Sequence, residues 1–472
     1  MKMKKIINTV FIAASMSVLF TACKKELELF PPGSIELSQS FKTMNDAKAW
    51  DNNLYSQLRG RINGVFLAPQ EVQADQLNAS LSYGNRNGNP HRWGSSFLAD
   101  DYALRDTWSG YYFMMKNVNA AIAGYPLITP ATPAEQKLMD MYKADAHLMR
   151  AWLYSELIIR FAKPYEPATA ATDPGVPLVL TYNPTDKPAR STVQATYDQI
   201  LADINIAKPL LATAVGSQGA KRFTIHSVKA LEARVKLYMK DWVAAKTLAD
   251  EVISSGTYPL HNTQAGINSM WATDNMQEVI QQVFVAKPNE LAPNVNDFFL
   301  GYRAGDNRFV PDFIPSQWVI DKFGATDIRK GAYFAQKTCR FLDNTDYTLW
   351  LVNKYPGNPA LFTAATTNYQ HALKLFRVGE LYMISAEAGA RAGGASEADA
   401  LVKLNALRAA RGLTPLVGIS GATLLNEVKE ERFRELAFEG FRLWDLKRWH
   451  EGFTRTAPQN ISVIQVGPNF NT

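Results

Sequence analysis

Apolar residues return at helical intervals through most of the chain, and the stretches where that rhythm fails are as telling as those where it holds. Ala47, Trp50, Leu54 and Leu58 share one face of a helix that Asn45 can cap and Gly60 can end. Trp108, Tyr111, Met115, Val118 and Ile122 mark a second helix that stops near Gly124. Thr132-Pro133-Ala-Glu135 reads as a capping box with proline in the first turn, opening a long helix to about Phe161. The short connection between these two predicts an antiparallel pair. Another capping box, Ser191-Thr-Val-Gln194, precedes the periodic run Tyr197, Ile200, Ile204.

Further pairs carry a ladder of small residues. Val228, Leu231, Val235 and Tyr238 can face Trp242, Ala245, Ala249 and Val252, with Gly256 closing the second helix. A second copy runs from Arg377 to Ala388, turns at Gly393-Gly-Ala-Ser396 and continues from Ala398 to Ala410, with Gly412 behind it. Alanine at a crossing lets two helix axes approach closely, as in tetratricopeptide units, although neither copy carries their consensus. Residues 427–449 end the helical part. Leu424, Leu425, Val428, Phe433 and Leu436 share one side, and Glu427, Glu430, Glu431 and Arg434 are expected to face outward. Arg432 falls on the apolar side and needs a carboxylate or carbonyl partner there. Gly440 is expected to stop this helix, before Phe441, Leu443, Trp444, Leu446 and Trp449 anchor a short segment against it.

Periodicity is lost over 61–106 and 257–375. The first gap contains Ser80-Leu-Ser-Tyr-Gly-Asn-Arg-Asn-Gly-Asn-Pro-His-Arg-Trp-Gly94, dense in turn formers. Long polar loops of this kind in a compact protein tend to carry function. The second gap reads as loops and short elements, with a strand expected within Asn275–Phe284.

The run Glu430-Glu-Arg-Phe-Arg-Glu-Leu-Ala-Phe-Glu-Gly440, followed by Trp444-Asp-Leu-Lys-Arg-Trp449, closely resembles the C-terminal signature of the SusD/RagB family of surface nutrient-binding lipoproteins. Trp50-Asp-Asn-Asn-Leu-Tyr55, Arg150-Ala-Trp-Leu-Tyr154, Asp173-Pro-Gly-Val-Pro-Leu-Val-Leu180 and Trp318 to Arg329 are similar to further segments of that family. The resemblance spans about 40–450 and is weakest in the two loop regions. It implies a mainly α fold, with tetratricopeptide-like helix pairs as a superhelical scaffold and a large irregular region that binds ligand. It also implies an oligosaccharide ligand handed to a SusC-like TonB-dependent transporter of the outer membrane, with no covalent step.

The amino terminus agrees with export. Lys2, Lys4 and Lys5 precede an apolar run, Ile6 to Phe20, too short to span a membrane, and Phe20-Thr-Ala-Cys23 resembles a lipobox. Expected parts are therefore a lipoprotein signal peptide over 1–22, acylation of Cys23, a charged tether over 23–40 and a single domain over 41–472. The scaffold falls mainly in 41–60, 107–256 and 376–450, and the ligand loops in 61–106 and 257–375. Cys339 is the other cysteine, so a lipidated Cys23 leaves core packing to hold the fold. The net charge of +6, half of it from the leader, is dispersed along the chain, which gives a nucleic-acid footprint no support.

Catalytic patterns are lacking. Six histidines stand far apart, and no His-Glu-x-x-His, nucleophile elbow, P-loop or dinucleotide fingerprint occurs, so no metal, cofactor or catalytic residue is expected. Asp100-Asp101 and Asp343-x-x-Asp346 read as solvated or capping acids. Aromatic recognition remains, because a flat ring can cover the C–H face of a sugar while amides and guanidinium groups bond its hydroxyls. Trp50, Trp108, Trp152, Trp242, Trp444 and Trp449 occupy helical or clamp positions and are expected in the core. Trp93 lies instead in the turn-rich loop. The candidate platform is Tyr83 and Trp93, with Asn85, Arg86 and Arg92 as polar partners, and Phe299, Tyr302 and Trp350 form a second group. Peptide binding on the same architecture, or a surface glycosidase with two facing carboxylates, are the alternatives.

Overall fold

Helix α1 (Met44–Arg59) is capped two residues earlier than Asn45: Thr43 is the cap, its hydroxyl accepting from Asp46 N while the Asp46 carboxylate accepts from Thr43 N at 2.8 Å. The computed structural model describes residues 39–455 apart from 182, 184, 185 and 295, so the expected signal peptide and Cys23 lie outside the described residues. The short α2 (Ala68–Gln73) is buried throughout, and α3 (Tyr102–Gly124) and α4 (Pro133–Phe161) form the antiparallel pair foreseen from their short connection. Thr132 caps α4 by accepting from Glu135 N. Thr192, not Ser191, caps α5 (Val193–Leu210), and Tyr197, Ile200 and Ile204 are buried on it.

Next come α6 (Ile225–Tyr238) and α7 (Trp242–Ser254), then, more than a hundred residues later, α8 (Val378–Ala392) and α9 (Ala395–Ala410). Each helix from α4 to α9 packs on the next, and α8 seats directly on α7, so the two small-residue pairs form one stack despite the interruption between them. Gly389 shows how close the approach is: a Cβ there would stand 2.9 Å from that of Ala400. Most helix faces meet in one hydrophobic cluster that runs from Phe41 to Trp444.

A second cluster lies under the loop-rich region, where Phe299, Phe313, Phe323, Phe334 and Tyr355 pack with Phe433 and Phe438. Among the described residues the ten short strands are β1 (Leu77–Ala79), β2 (Pro174–Pro177), β3 (Arg190–Thr192), β4 (Val279–Gln282), β5 (Tyr302–Arg303), β6 (Arg308–Phe309), β7 (Phe313–Pro315), β8 (Phe334–Arg340), β9 (Asp346–Val352) and β10 (Lys374–Arg377). The strand expected within Asn275–Phe284 is β4, antiparallel to β10. The four-stranded sheet β5-β6-β8-β9 was not legible in the sequence, because β8 alternates with few apolar residues. β1 and β7 tie the first loop region to the second.

The C-terminal motif is the junction of all these parts. Helix α10 (Gly421–Leu436) ends before Gly440; Phe438 takes a left-handed φ of 64° and Gly440 one of 84°, and Gly440 N donates to the buried Glu71. Glu431 does not face solvent, and neither does Glu435: both are fully buried. Glu435 accepts from Arg411 at 2.9 and 3.0 Å, from Arg329 at 3.0 Å and from Arg377. Those guanidinium groups hold its carboxyl well below the usual range despite the burial that opposes ionisation. Arg432 finds the partner its position demanded in Asp445 of α11 (Arg442–Trp449), at 2.7 Å. The mixed charges of the motif are therefore an internal ion-pair lattice that joins α8, α9, α10 and the second cluster.

Candidate functional site

Turn chemistry shapes the loop 80–93. Asn85, Asn87 and Trp93 have φ of 59°, 53° and 50°, a region asparagine enters at little cost and tryptophan rarely does. Trp93 ends the short helix Gly88–Arg92, and its indole N–H donates to Gln73 O at 3.0 Å, so backbone and ring are fixed together. The Arg92 guanidinium donates to Tyr83 Oη and to Asn85 Oδ1, both at 2.7 Å. Arg86 pairs with the buried carboxylate of Asp312, one bond being 2.7 Å, which ties the loop to the chain next to β7. Tyr83 rests edge-on against Phe313, ring centroids 6.0 Å apart.

The five residues singled out in this loop thus separate. Tyr83, Asn85 and Arg92 form one hydrogen-bonded group, Arg86 is committed to Asp312, and Trp93 alone enters an adjoining cleft of about 530 Å³. The pairing of Tyr83 and Trp93 as a single platform is corrected accordingly. The cleft is lined by rings from distant parts of the chain, among them Phe97, Phe161, Trp444 and Phe453, with Arg160 and Lys447. Phe97 meets Trp93 edge-on at 5.9 Å. Arg160 donates to Gln70 Oε1 at 2.8 Å and to Glu156, and Lys447 donates to Ile159 O at 2.8 Å and Ala162 O at 2.6 Å. Burial, with Arg160 beside it, brings the Lys447 ammonium down to about 8. These cations are spent on carbonyls and carboxylates, so the cleft offers chiefly ring faces and aliphatic surface.

Phe299 is corrected to a core residue, 1% exposed and stacked on Tyr355, because its short helix inserts into the second cluster. Tyr302 and Trp350 remain half-buried but stand on opposite edge strands of the sheet, β5 and β9, and are not brought together. Trp152 is in the core as expected. Trp444 is 8% exposed yet lines the cleft, and its helical spacing gave no sign of that second role. Phe97 and Phe453 lie in irregular segments with no periodic signal at all. Asp101 caps α3, and Asp346 is held by Arg308 and Arg340, so these two loop acids have structural partners. Among the described residues no group of three His, Cys, Asp or Glu side chains is placed to hold a metal ion, and no helix is long and apolar enough to cross a membrane. The buried Cys339 thiol is pushed up to about 12 by desolvation.

The structure thus combines a scaffold of stacked helix pairs with a ring-lined cleft beside the loop 80–93. The chain belongs to the SusD/RagB family. The SusD family model matches residues 258–470, and a second model, described as starch-binding associating with outer membrane, matches 38–237. A SusD-like protein, P38, of Formosa agariphila is 24% identical, covering 97% of this chain and 94% of its own. Among solved structures, a SusD superfamily protein of Bacteroides vulgatus superposes with a TM-score of 0.74 at 21% identity, over 90% of this chain and 93% of that one. A laminarin-binding SusD-like protein does so with a TM-score of 0.67 at 21% identity, over 87% and 92%. These likenesses agree with the mainly helical fold and with a family that includes carbohydrate-binding proteins.

Proposed function

We propose that this protein is a lipid-anchored receptor on the outer membrane that captures an oligosaccharide and passes it to a SusC-like TonB-dependent transporter. The observation that carries the reading is the cleft at Trp93, where a strained backbone holds an indole among five other rings. Its volume of about 530 Å³ lies within the range of small-ligand sites. Support also comes from the starch-binding description of one matching family model and from the laminarin-binding neighbour. Cleavage before Cys23 and acylation there supply the anchor, since several acyl chains hold far more firmly than one. The stacked helix pairs α4 to α9 offer the broad surface on which a transporter can dock. Capture is by contact alone, with no bond made or broken.

The engagement of Arg160 and Lys447 with protein groups favours a second reading, an apolar peptide segment in the same cleft. Isothermal calorimetry of the full-length protein in detergent against neutral glycans and against peptides separates the two. Micromolar or tighter glycan binding, with no release of reducing ends on long incubation, is the expected result. Turnover of any glycan, or binding of peptides alone, overturns it. Mass spectrometry of the mature amino terminus tests acylation at Cys23, and an unmodified cysteine refutes the anchor.

A further inference from the structure

On the other side of α11 from the Trp93 cleft lies a second groove, of about 490 Å³, that shares no residue with it. Two partly exposed indoles, Trp318 and Trp449, stand at this groove. Trp318 is stacked on Phe433 with centroids 5.2 Å apart and planes 28° apart, and Arg442 covers Phe433 at 5.0 Å, so the ring is braced. Trp449 is fixed by its indole N–H, which donates to the fully buried Glu387 at 2.7 Å. Three ion pairs surround the groove: Arg442 with Asp75 at 2.7 Å, Lys322 with Glu430 at 2.5 Å, and Lys429 with Glu451. The lining is therefore charge-balanced, three cations to three carboxylates.

Such pairs suit vicinal hydroxyls, which can accept from an ammonium and donate to the neighbouring carboxylate at once. Glu430 and Glu451 each engage a lysine through one oxygen and keep the other as an acceptor. Asn426 and Thr454 line the groove with exposed side chains that hydrogen-bond to nothing among the described residues. A sulfate or uronate on the ligand would have to compete with Glu430 and Glu451 for lysines already matched.

We infer that the groove between Trp318 and Trp449 is a second saccharide site, selective for neutral glycans, independent of the Trp93 cleft. It rests on the reading of this protein as a glycan receptor and adds to it the ligand's charge class and a second point of attachment. Two sites on one chain raise the avidity for a long or branched glycan that reaches both.

The test is calorimetry on full-length protein in detergent with neutral gluco- and manno-oligosaccharides and with their sulfated and uronate counterparts. Wild type, Trp93→Ala, Asn426→Trp and the double variant are compared. Asn426 is exposed on α10, so tryptophan there fills the groove without disturbing the core. Expected are two classes of neutral-glycan site for the wild type, a weakened cleft class in Trp93→Ala, loss of the groove class in Asn426→Trp, and only the weakened cleft class in the double variant. Affinity at the groove, read in Trp93→Ala, is expected to fall about tenfold for charged counterparts, the scale of one lost charge-assisted contact. Glycan binding that Asn426→Trp leaves intact, or a groove that prefers the sulfated ligand, overturns the second site while leaving the receptor reading standing. A protein that binds no glycan in any form overturns both.

Discussion

Replacing Glu435 by glutamine keeps the volume of the side chain and removes the charge on which three buried arginines converge. Arg411 would lose bonds of 2.9 and 3.0 Å, Arg329 one of 3.0 Å, and Arg377 its contact through Nη1. Each arginine retains another acid: Arg411 keeps Glu278 at 2.9 Å, Arg377 keeps Glu439 at 2.8 Å, and Arg329 keeps Asp327 at 2.8 Å. The charges are thus undercompensated, not orphaned. Breaking one member of a buried ion pair costs about 3–5 kcal/mol, and these residual partners place Glu435→Gln near the lower end of that range. Since a domain's net stability is about 5–15 kcal/mol, the loss is a large share of it. Urea unfolding followed by tryptophan fluorescence reads it directly. Glu427→Gln on the outer edge of the same helix is the control and is expected to shift stability by less than about 0.5 kcal/mol.

Acidity adds a second arm to the same experiment. The folded-state pKa of Glu435 is depressed below its ordinary value of 4.5, so its contribution is present at neutral pH and is lost as pH falls below that value toward the folded pKa. The gap between wild type and Glu435→Gln is therefore expected to be constant from pH 6 to 8 and to narrow under acid. A variant as stable as the wild type at pH 7, or a gap that widens on acidification, would refute the reasoning.

The opposite sign is expected at Asp51 and Asp145, two fully buried carboxyls that share the one guanidinium of Arg222. Burial raises both, Asp51 to about 6 from 3.8, so stability falls as pH rises through that window; Asp51→Asn should flatten the pH–stability curve, and an unchanged slope refutes the shared-charge account. Gly440→Ala combines a left-handed φ with a Cβ that would run into the Gln70 amide and press on Leu67 at 3.1 Å; a loss of about 1–3 kcal/mol by urea unfolding is expected, and a neutral effect would show that the turn relaxes freely. Trp93→Ala should weaken binding of a glycan held in the cleft by about 1–3 kcal/mol, and unchanged affinity by calorimetry removes Trp93 from the site.

Helix positions were legible because burial imposes a period on each segment separately. Thr132 and Gly60 marked helix ends correctly, while Asn45 and Ser191 did not, because a better-placed threonine lies beside each. The charged signature was legible as a motif and misread in its geometry. Glu431 looked solvent-facing on a helical wheel, yet the guanidinium groups that meet it and Glu435 in the interior include Arg329, Arg377 and Arg411, all from outside α10. Nothing local to α10 reveals them.

By itself, then, the chain determined the helix pairs, their close crossings at small residues, and a loop-borne tryptophan freed from helical duty, since each follows from spacing and residue type over a few turns. Tertiary structure alone decided which rings meet Trp93, that Phe299 is core, and that Trp318 and Trp449 flank a common groove. Trp93 and Trp444 lie 351 residues apart and Trp318 and Trp449 131, and their meeting is set by how the helix stack and the second hydrophobic cluster close on one another, a long-range packing outcome that no local periodicity encodes.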